Sequence, residues 1–229
     1  MNIWVFAQQA QGAPTSVTLE LLTKARSLGG TVSAFMAGDG AAVAAALGSH
    51  GASKVYATGD LAGKLPGPAV ASAMRAVIDG GDSPSVIMFP QNYEGRDVMS
   101  RLSVKLDKTV LTNNVDIADS ADGVVATTPI FGGNLLVTTA FTGSGPHLVS
   151  FRPKSFAAEA SGGAAAQVVA ASVPDTGATG SANFLSRSTA VLATIFFLTA
   201  LTLANLQSSQ AKNAGSVMQS NVESAPGVA

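Results

Sequence analysis

A mostly parallel α/β sheet with helices on both faces, followed by one membrane-spanning helix, is the architecture this sequence predicts. Three observations carry it. Within the first 106 residues, four strand-type apolar runs are each followed by a helical pattern, and such alternation calls for parallel strands joined by right-handed crossovers. Residues 109–151 then read as short strands separated by glycine-rich turns. Lastly, residues 188–206, STAVLATIFFLTALTLANL, contain no charge, proline or glycine. A helix of that length spans about 30 Å, the thickness of a bilayer's hydrocarbon core.

The elements follow in order. Residues 3–6 are a short apolar run of the buried-strand type. After Pro14, Val17, Leu21 and Leu28 share a helical face with Leu22 and Ala25 beside it. Thr15 or Ser16 can cap that helix, and Gly29-Gly30 stops it. Residues 31–36 form a second strand, 41–47 an alanine-rich helix and 54–58 a third strand. Pro68 opens a helix over 69–78, which Gly80-Gly81 ends. Residues 86–89 are the fourth strand, closed by Pro90, and 96–106 the fourth helix, with Val98, Leu102 and Leu106 at steps of four. Strands are expected over 109–117, 124–129, 134–141 and 147–151, with turns at Asp122-Gly123, Gly132-Gly133 and Gly143-Ser144-Gly145-Pro146. At least one antiparallel hairpin should turn at Gly132-Gly133.

These elements make a domain over residues 1–156. Residues 157–183 hold ten alanines and four glycines and no Leu, Ile, Met or aromatic. Such a stretch buries too little apolar area to offset its ordering entropy, so a flexible linker is expected. The membrane helix occupies 184–206. A core helix of a soluble domain is the plainer alternative, but this run has no polar face and nothing foldable follows it. Its threonines can bond back to helical carbonyls, which makes them cheap in lipid. Residues 207–229, with one Lys and one Glu among Ser, Gln, Asn and Ala, read as a disordered polar tail.

Composition excludes several functions. Charged residues are 12 % of the chain and the net charge is −1, so there is no electrostatic case for nucleic acid. Cysteine is absent, which removes disulfide scaffolds, thiol catalysis and Cys-ligated zinc or iron–sulfur clusters. His50 and His147 are isolated, with no partner at metal-ligand spacing, so no metal site is expected. Met36, Met74, Met88 and Met99 fall on strand or helix patterns and belong to the core. No phosphate loop and no Ser–His–Asp or carboxylate pair can be nominated, so no catalytic residue is named.

An open α/β sheet takes ligands at the carboxyl ends of its strands. The loops to inspect are therefore 7–14 and 90–97. The second reads PQNYEGRDVMSRL. Gly95 lets the backbone turn close to the helix start, Arg96 offers a planar fork for phosphate or carboxylate, and Asp97 can cap the helix. The plainer alternative is a helix start with a surface ion pair. Gly95, Arg96 and Asp97, with Arg152 next, are the candidate cleft or interface residues.

The stretches IWVFAQ, LGGTVSAFMAG, NYEGRDVMSRLSVKLDKTVLTNNVDI, TTPIFGGNLLVTTAF and VSFRPKSFAAEASGGAA run in order through residues 1 to about 178. In these the chain resembles the N-terminal domain of the electron transfer flavoprotein alpha subunit. The resemblance implies a three-layer, mostly parallel, adenine nucleotide alpha hydrolase-like domain that forms a heterodimer with a beta subunit. It also implies that FAD sits mainly in a further alpha-subunit domain beginning past the Ala/Gly stretch. That domain is expected to be lacking, so no cofactor is expected for this chain alone. Arg96, Asp97 and Arg152 would then serve partner contact, and the chain would be a component of an electron carrier rather than a self-sufficient enzyme.

Residues from about 178 onward, GSANFLSRSTAVLATIFFLTALTLANLQSS and the tail, are similar to the second half of SecG, a subunit of the bacterial protein-export translocase. This implies an accessory membrane subunit and contact with the translocase channel. The junction falls near residues 177–181. Because the two families have no evident reason to be joined, a non-functional chimeric fusion is the third reading. Arg187 before the apolar run agrees with the positive-inside tendency. The expected location is the inner membrane, with the N-terminal domain cytoplasmic and the tail outside.

Overall fold

The computed structural model describes residues 1–121, 123–175 and 181–218, with the side chains of the last segment described for 189–207. The chain divides into two units, Met1–Ala178 and Thr179–Ala229.

In the first unit, β1 (Asn2–Ala7) is buried along nearly its whole length. A short hairpin, β2 (Gln9–Ala10) and β3 (Ala13–Pro14), leads into α1 (Ser16–Ser27). Thr15 caps α1, its Oγ1 accepting from Thr18 N at 3.4 Å. There follow β4 (Thr31–Met36), a 3₁₀ turn (Ala41–Val43) continuing into α2 (Ala44–Ser49), and β5 (Lys54–Ala57). Then come α3 (Pro66–Asp79), β6 (Val86–Pro90), α4 (Tyr93–Leu106) and β7 (Val110–Asn114). The expected strand over 109–117 is two strands, because after Asn114 the chain leaves the main sheet as β8 (Asp116–Ser120). β9 (Gly123–Ile130) and β10 (Leu135–Ala140) pair antiparallel around the 3₁₀ turn Phe131–Gly133, the hairpin expected at Gly132-Gly133. β11 (His147–Phe151) and β12 (Gln167–Ala170) complete the unit.

Seven strands form one sheet in the order β12-β5-β4-β1-β6-β11-β7, all paired parallel. The strand pleat sends alternate residues to opposite faces. Ile3 and Val5 of β1 join Leu21, Leu22 and Ala25 of α1, Val43 and Leu47 near α2, and Ile117, Val124 and Ala126 of the three-stranded sheet. Trp4 and Phe6 join Val70 and Met74 of α3 and Val98, Met99 and Leu102 of α4 on the other face. The result is the three-layer α/β fold that the βα alternation predicts.

The linker expectation needs correction. Residues 159–166 lie along the α1–α2 face: Thr23 and Arg26 donate to Glu159 O, Ser161 N donates to Ser49 O at 2.6 Å, and Ala166 N donates to Ala44 O at 3.0 Å. A Cβ on Gly48 would fall on Ala164 O, so this glycine admits the close pass. β12 then adds to the edge of β5, with Ala166 and Ala171 buried. Main-chain pairing, rather than large side chains, orders this stretch.

The second unit contains α5 (Ser181–Met218). Residues Thr189–Gln207 are apolar enough to cross a membrane. Thr194, Thr199 and Thr202 donate to the carbonyls of Ala190, Ile195 and Leu198, as their positions in an apolar helix predict. The helix continues to Met218 through part of the expected disordered tail. Residues beyond Met218, most of the expected junction and the side chain of Arg187 lie outside the described residues.

Candidate functional site

β1 pairs β4 on one side and β6 on the other. Successive connections run outward from β1 to β5 and then return through α3 to β6. The carboxyl ends of β1 and β6 therefore flank the point where strand order reverses, the usual ligand crevice of such sheets. Three half-buried polar side chains meet there. Asn92 Nδ2 donates to Gln8 Oε1 at 2.6 Å, and Gln8 Nε2 donates to Glu94 Oε2 at 2.8 Å. Asn92 Oδ1 accepts from Gly95 N at 2.9 Å and so caps α4. The Glu94 carboxylate occupies the first helical turn, where a ligand phosphate would seek the dipole.

Gly95, Arg96 and Asp97 lie near the start of α4, and Arg152 lies just past β11. Gly95 is buried, and a Cβ there would strike Pro90 O, so glycine is required for α4 to start against β6. Asp97 is not the cap, because the helix begins three residues before Arg96; its Oδ1 instead accepts from Arg101 Nε at 2.7 Å. Arg96 is exposed, donates to Asn92 O at 3.3 Å and lies 5.2 Å from the Tyr93 ring centre. Arg152, just past β11, donates from Nε to Asn113 Oδ1 at 2.6 Å. Gly95, Arg96 and Asp97 share one helix start, and Arg152 sits on the same sheet edge, where Gln91 N bonds Phe151 O. Among the described residues, no hydrogen bond or ion pair links Arg152 to Gly95, Arg96 or Asp97.

A polar seam lies beside them. Gln91 Oε1 accepts from Ser150 Oγ, Asn114 Nδ2 donates to Ser150 O at 3.0 Å, and Thr128 Oγ1 donates to Asn114 Oδ1 at 2.7 Å. This satisfies the buried Asn114 and ties the three-stranded sheet to the main one.

The β9–β10 arm stands apart. Leu135, Leu136 and Val137 are all exposed, as is Phe131 at the tip, which is 79 % exposed. Neighbouring β10 residues point to opposite sides, so β10 exposes apolar side chains on both of its faces, whereas Val124 and Ala126 of β9 pack into the core. At its base a cavity of about 330 Å³ is lined by Lys108, Thr139, Phe141, Ser144 and His147, among others. Lys108 Nζ donates to Ser144 O at 2.8 Å, and the rings of Phe141 and His147 stack at 4.3 Å. Burial, and then the Lys108 ammonium, hold the His147 imidazole below its ordinary range. Among the described residues no cluster of three His, Cys, Asp or Glu could hold a metal.

Sequence reasoning passed over Gln8, Asn92 and Glu94. The signal was present: Asn92 stands three residues before Gly95, a cap spacing, with an acid in the first turn.

These features define an α/β domain of the doubly wound class. A model of the electron transfer flavoprotein domain matches residues 3–176, and the chain belongs to that family. A model of the preprotein translocase SecG subunit matches residues 154–224. The electron transfer flavoprotein subunit alpha of Syntrophomonas wolfei is 32 % identical over 153 residues, covering 66 % of this chain and 47 % of that protein. The corresponding protein of Clostridium acetobutylicum is 30 % identical over 163 residues, covering 68 % and 48 %. That of Mycobacterium tuberculosis is 31 % identical over 171 residues, covering 73 % and 52 %. The chain thus spans about half the length of these relatives. The SecG match and the apolar helix together point to membrane association.

Proposed function

We propose that this chain is an electron transfer flavoprotein alpha-type domain that docks a beta-type subunit through its β9–β10 arm. One observation carries the reading: Phe131 at the tip and Leu135, Leu136 and Val137 of β10 are all exposed. β10 is an edge strand of the three-stranded sheet β10-β9-β8, and exposed apolar clusters mark contact surfaces. The relatives are named as subunits of an assembly, which supplies the partner class. Arg96 and Arg152, both exposed, would add polar contacts at the rim. The chain acts as a component of an electron carrier, and any flavin belongs to the assembled complex.

Co-expression of the full chain with an electron transfer flavoprotein beta subunit tests this. A stable complex is expected, and Leu136→Asp should abolish it without changing the melting of the sheet domain. Absence of any complex with the unmodified chain overturns the reading. Flavin absorbance of the purified complex then reports whether the cofactor joins.

A second reading has its own support. The SecG match and the exposed, apolar Thr189–Gln207 stretch favour an accessory membrane subunit of the export translocase in the inner membrane. Its sheet domain would be cytoplasmic and its tail outside. Co-purification with the translocase channel, lost on deleting residues 189–207, is the expected result. A C-terminal reporter active only in the cytosol would contradict the orientation.

A further inference from the structure

Lys54, Tyr56 and Asp82 form a cluster that docking does not use. Lys54 and Tyr56 stand two apart on β5, so the pleat puts them on one face. Asp82 comes from the turn between α3 and β6. Tyr56 Oη donates to Asp82 Oδ2. Lys54 Nζ lies 2.9 Å from Tyr56 Oη and 3.1 Å from Asp82 Oδ2, and Asn2 Nδ2 donates to Asp82 Oδ1 at 3.1 Å. Tyr56 is 4 % exposed, whereas the side chains of Lys54 and Asp82 keep 33 % and 35 %. The phenol is inside, and its proton acceptor opens to water.

On its other side Tyr56 meets two aromatic rings. Trp4–Tyr56, Trp4–Phe35 and Phe35–Tyr56 all have ring centres 5.4 Å apart. Trp4 is fully buried, and its Nε1 has no hydrogen-bond partner among the described residues.

We infer that Trp4 and Tyr56 form a one-electron relay in which Tyr56 is the terminal, proton-coupled donor and Asp82 takes its proton. Proton acceptors decide the order. An oxidised Trp4 cannot pass its indole proton to a neighbour, so its positive charge stays in an apolar core, which burial opposes. A positive Tyr56 ring is opposed too, by the Lys54 ammonium 5.1 Å from its centre. Tyr56 alone can shed a proton along an existing hydrogen bond. Burial, and then the Asp82 bond, raise the Tyr56 phenol above its ordinary range, and the same bond lowers Asp82 below its own. At rest the proton is on the phenol and the carboxylate is charged.

The step balances as follows. A one-electron oxidant of the metal polypyridyl class takes an electron from Trp4. Tyr56 returns one electron to Trp4 as its Oη proton moves to Asp82 Oδ2. Trp4 is restored, Tyr56 is a neutral phenoxyl radical, Asp82 is a carboxylic acid and the oxidant carries the electron. Nothing here depends on a docking partner.

The chain has one tryptophan and two tyrosines, so the radicals can be assigned. The full chain in detergent, carrying Tyr93→Phe, is oxidised by laser flash with photogenerated ruthenium(III) polypyridyl and followed by transient absorption and spin resonance. A tryptophan radical should give way to a tyrosine radical. Tyr56→Phe should abolish the second signal and lengthen the life of the first by about tenfold. Asp82→Asn should slow the transfer by about tenfold. Should that variant fail to fold, a solvent deuterium effect of about twofold on the transfer in the Tyr93→Phe chain serves instead. An unchanged tryptophan radical lifetime in Tyr56→Phe, or a transfer rate indifferent both to Asp82→Asn and to deuterium, overturns the relay.

Discussion

Asn92 bonds Gln8 side chain to side chain at 2.6 Å and so joins the loop after β1 to the helix after β6. The same amide caps α4 through Gly95 N. One residue therefore both starts the helix and closes the crevice between the two central strands. Asn92→Ala removes both bonds. The loss should be about 1–2 kcal/mol of stability for the sheet domain, the usual range for a cap. Chemical denaturation followed by the fluorescence of Trp4 measures it, and an unchanged midpoint would show that the clasp is energetically idle.

Gly48 lies where the 159–166 stretch passes close to α2, and a Cβ there would fall on Ala164 O. Gly48→Ala places a methyl on that carbonyl and should displace the stretch. Faster hydrogen exchange at Val168 and Val169, with the β1 amides still protected, is the expected signature. Equal protection in the variant would mean that β12 does not depend on this contact.

His147 is held below its ordinary value by burial and by Lys108. Its folded value lies below its unfolded one, so the fold favours neutral imidazole. The associated stability is present above the unfolded value of 6.5 and lost as pH falls through the lowered folded value. Lys108→Gln should move His147 upward and shrink that acid-side loss. A proton NMR titration of the His147 ring reads the shift, and a downward move would contradict it.

Leu198 lies at the centre of the apolar stretch Thr189–Gln207. A lysine there costs about 3 kcal/mol at mid-bilayer. Leu198→Lys should shift the chain from the membrane fraction toward the soluble one after alkaline extraction. Equal partitioning of both forms would argue against a spanning helix.

Much of this was legible from local pattern. The strand beginning at residue 3, the helix opened after Thr15 and the hairpin at Gly132-Gly133 all lie where apolar spacing and turn residues put them. The membrane stretch was equally plain, because lack of charge over 19 residues is a one-dimensional property. The strand at 167–170 was not. Alanine and glycine predominate around it, and only Val168-Val169 hinted at a strand. Asp97 suits a cap only for a helix that begins at Arg96, whereas the Asn92–Gly95 bond starts α4 earlier.

By itself the sequence determined the central strands and helices and which stretch is greasy enough for lipid, since these follow from neighbours within a few positions. Tertiary structure alone decided that Gln8 and Glu94, 86 positions apart, meet in the central crevice. It also decided that an alanine-rich stretch becomes an edge strand and that Tyr56 hands its hydrogen bond to Asp82. The physical reason is that the main-chain edge of β5 and the return crossover to β6 bring distant residues together, and no local spacing encodes such a meeting.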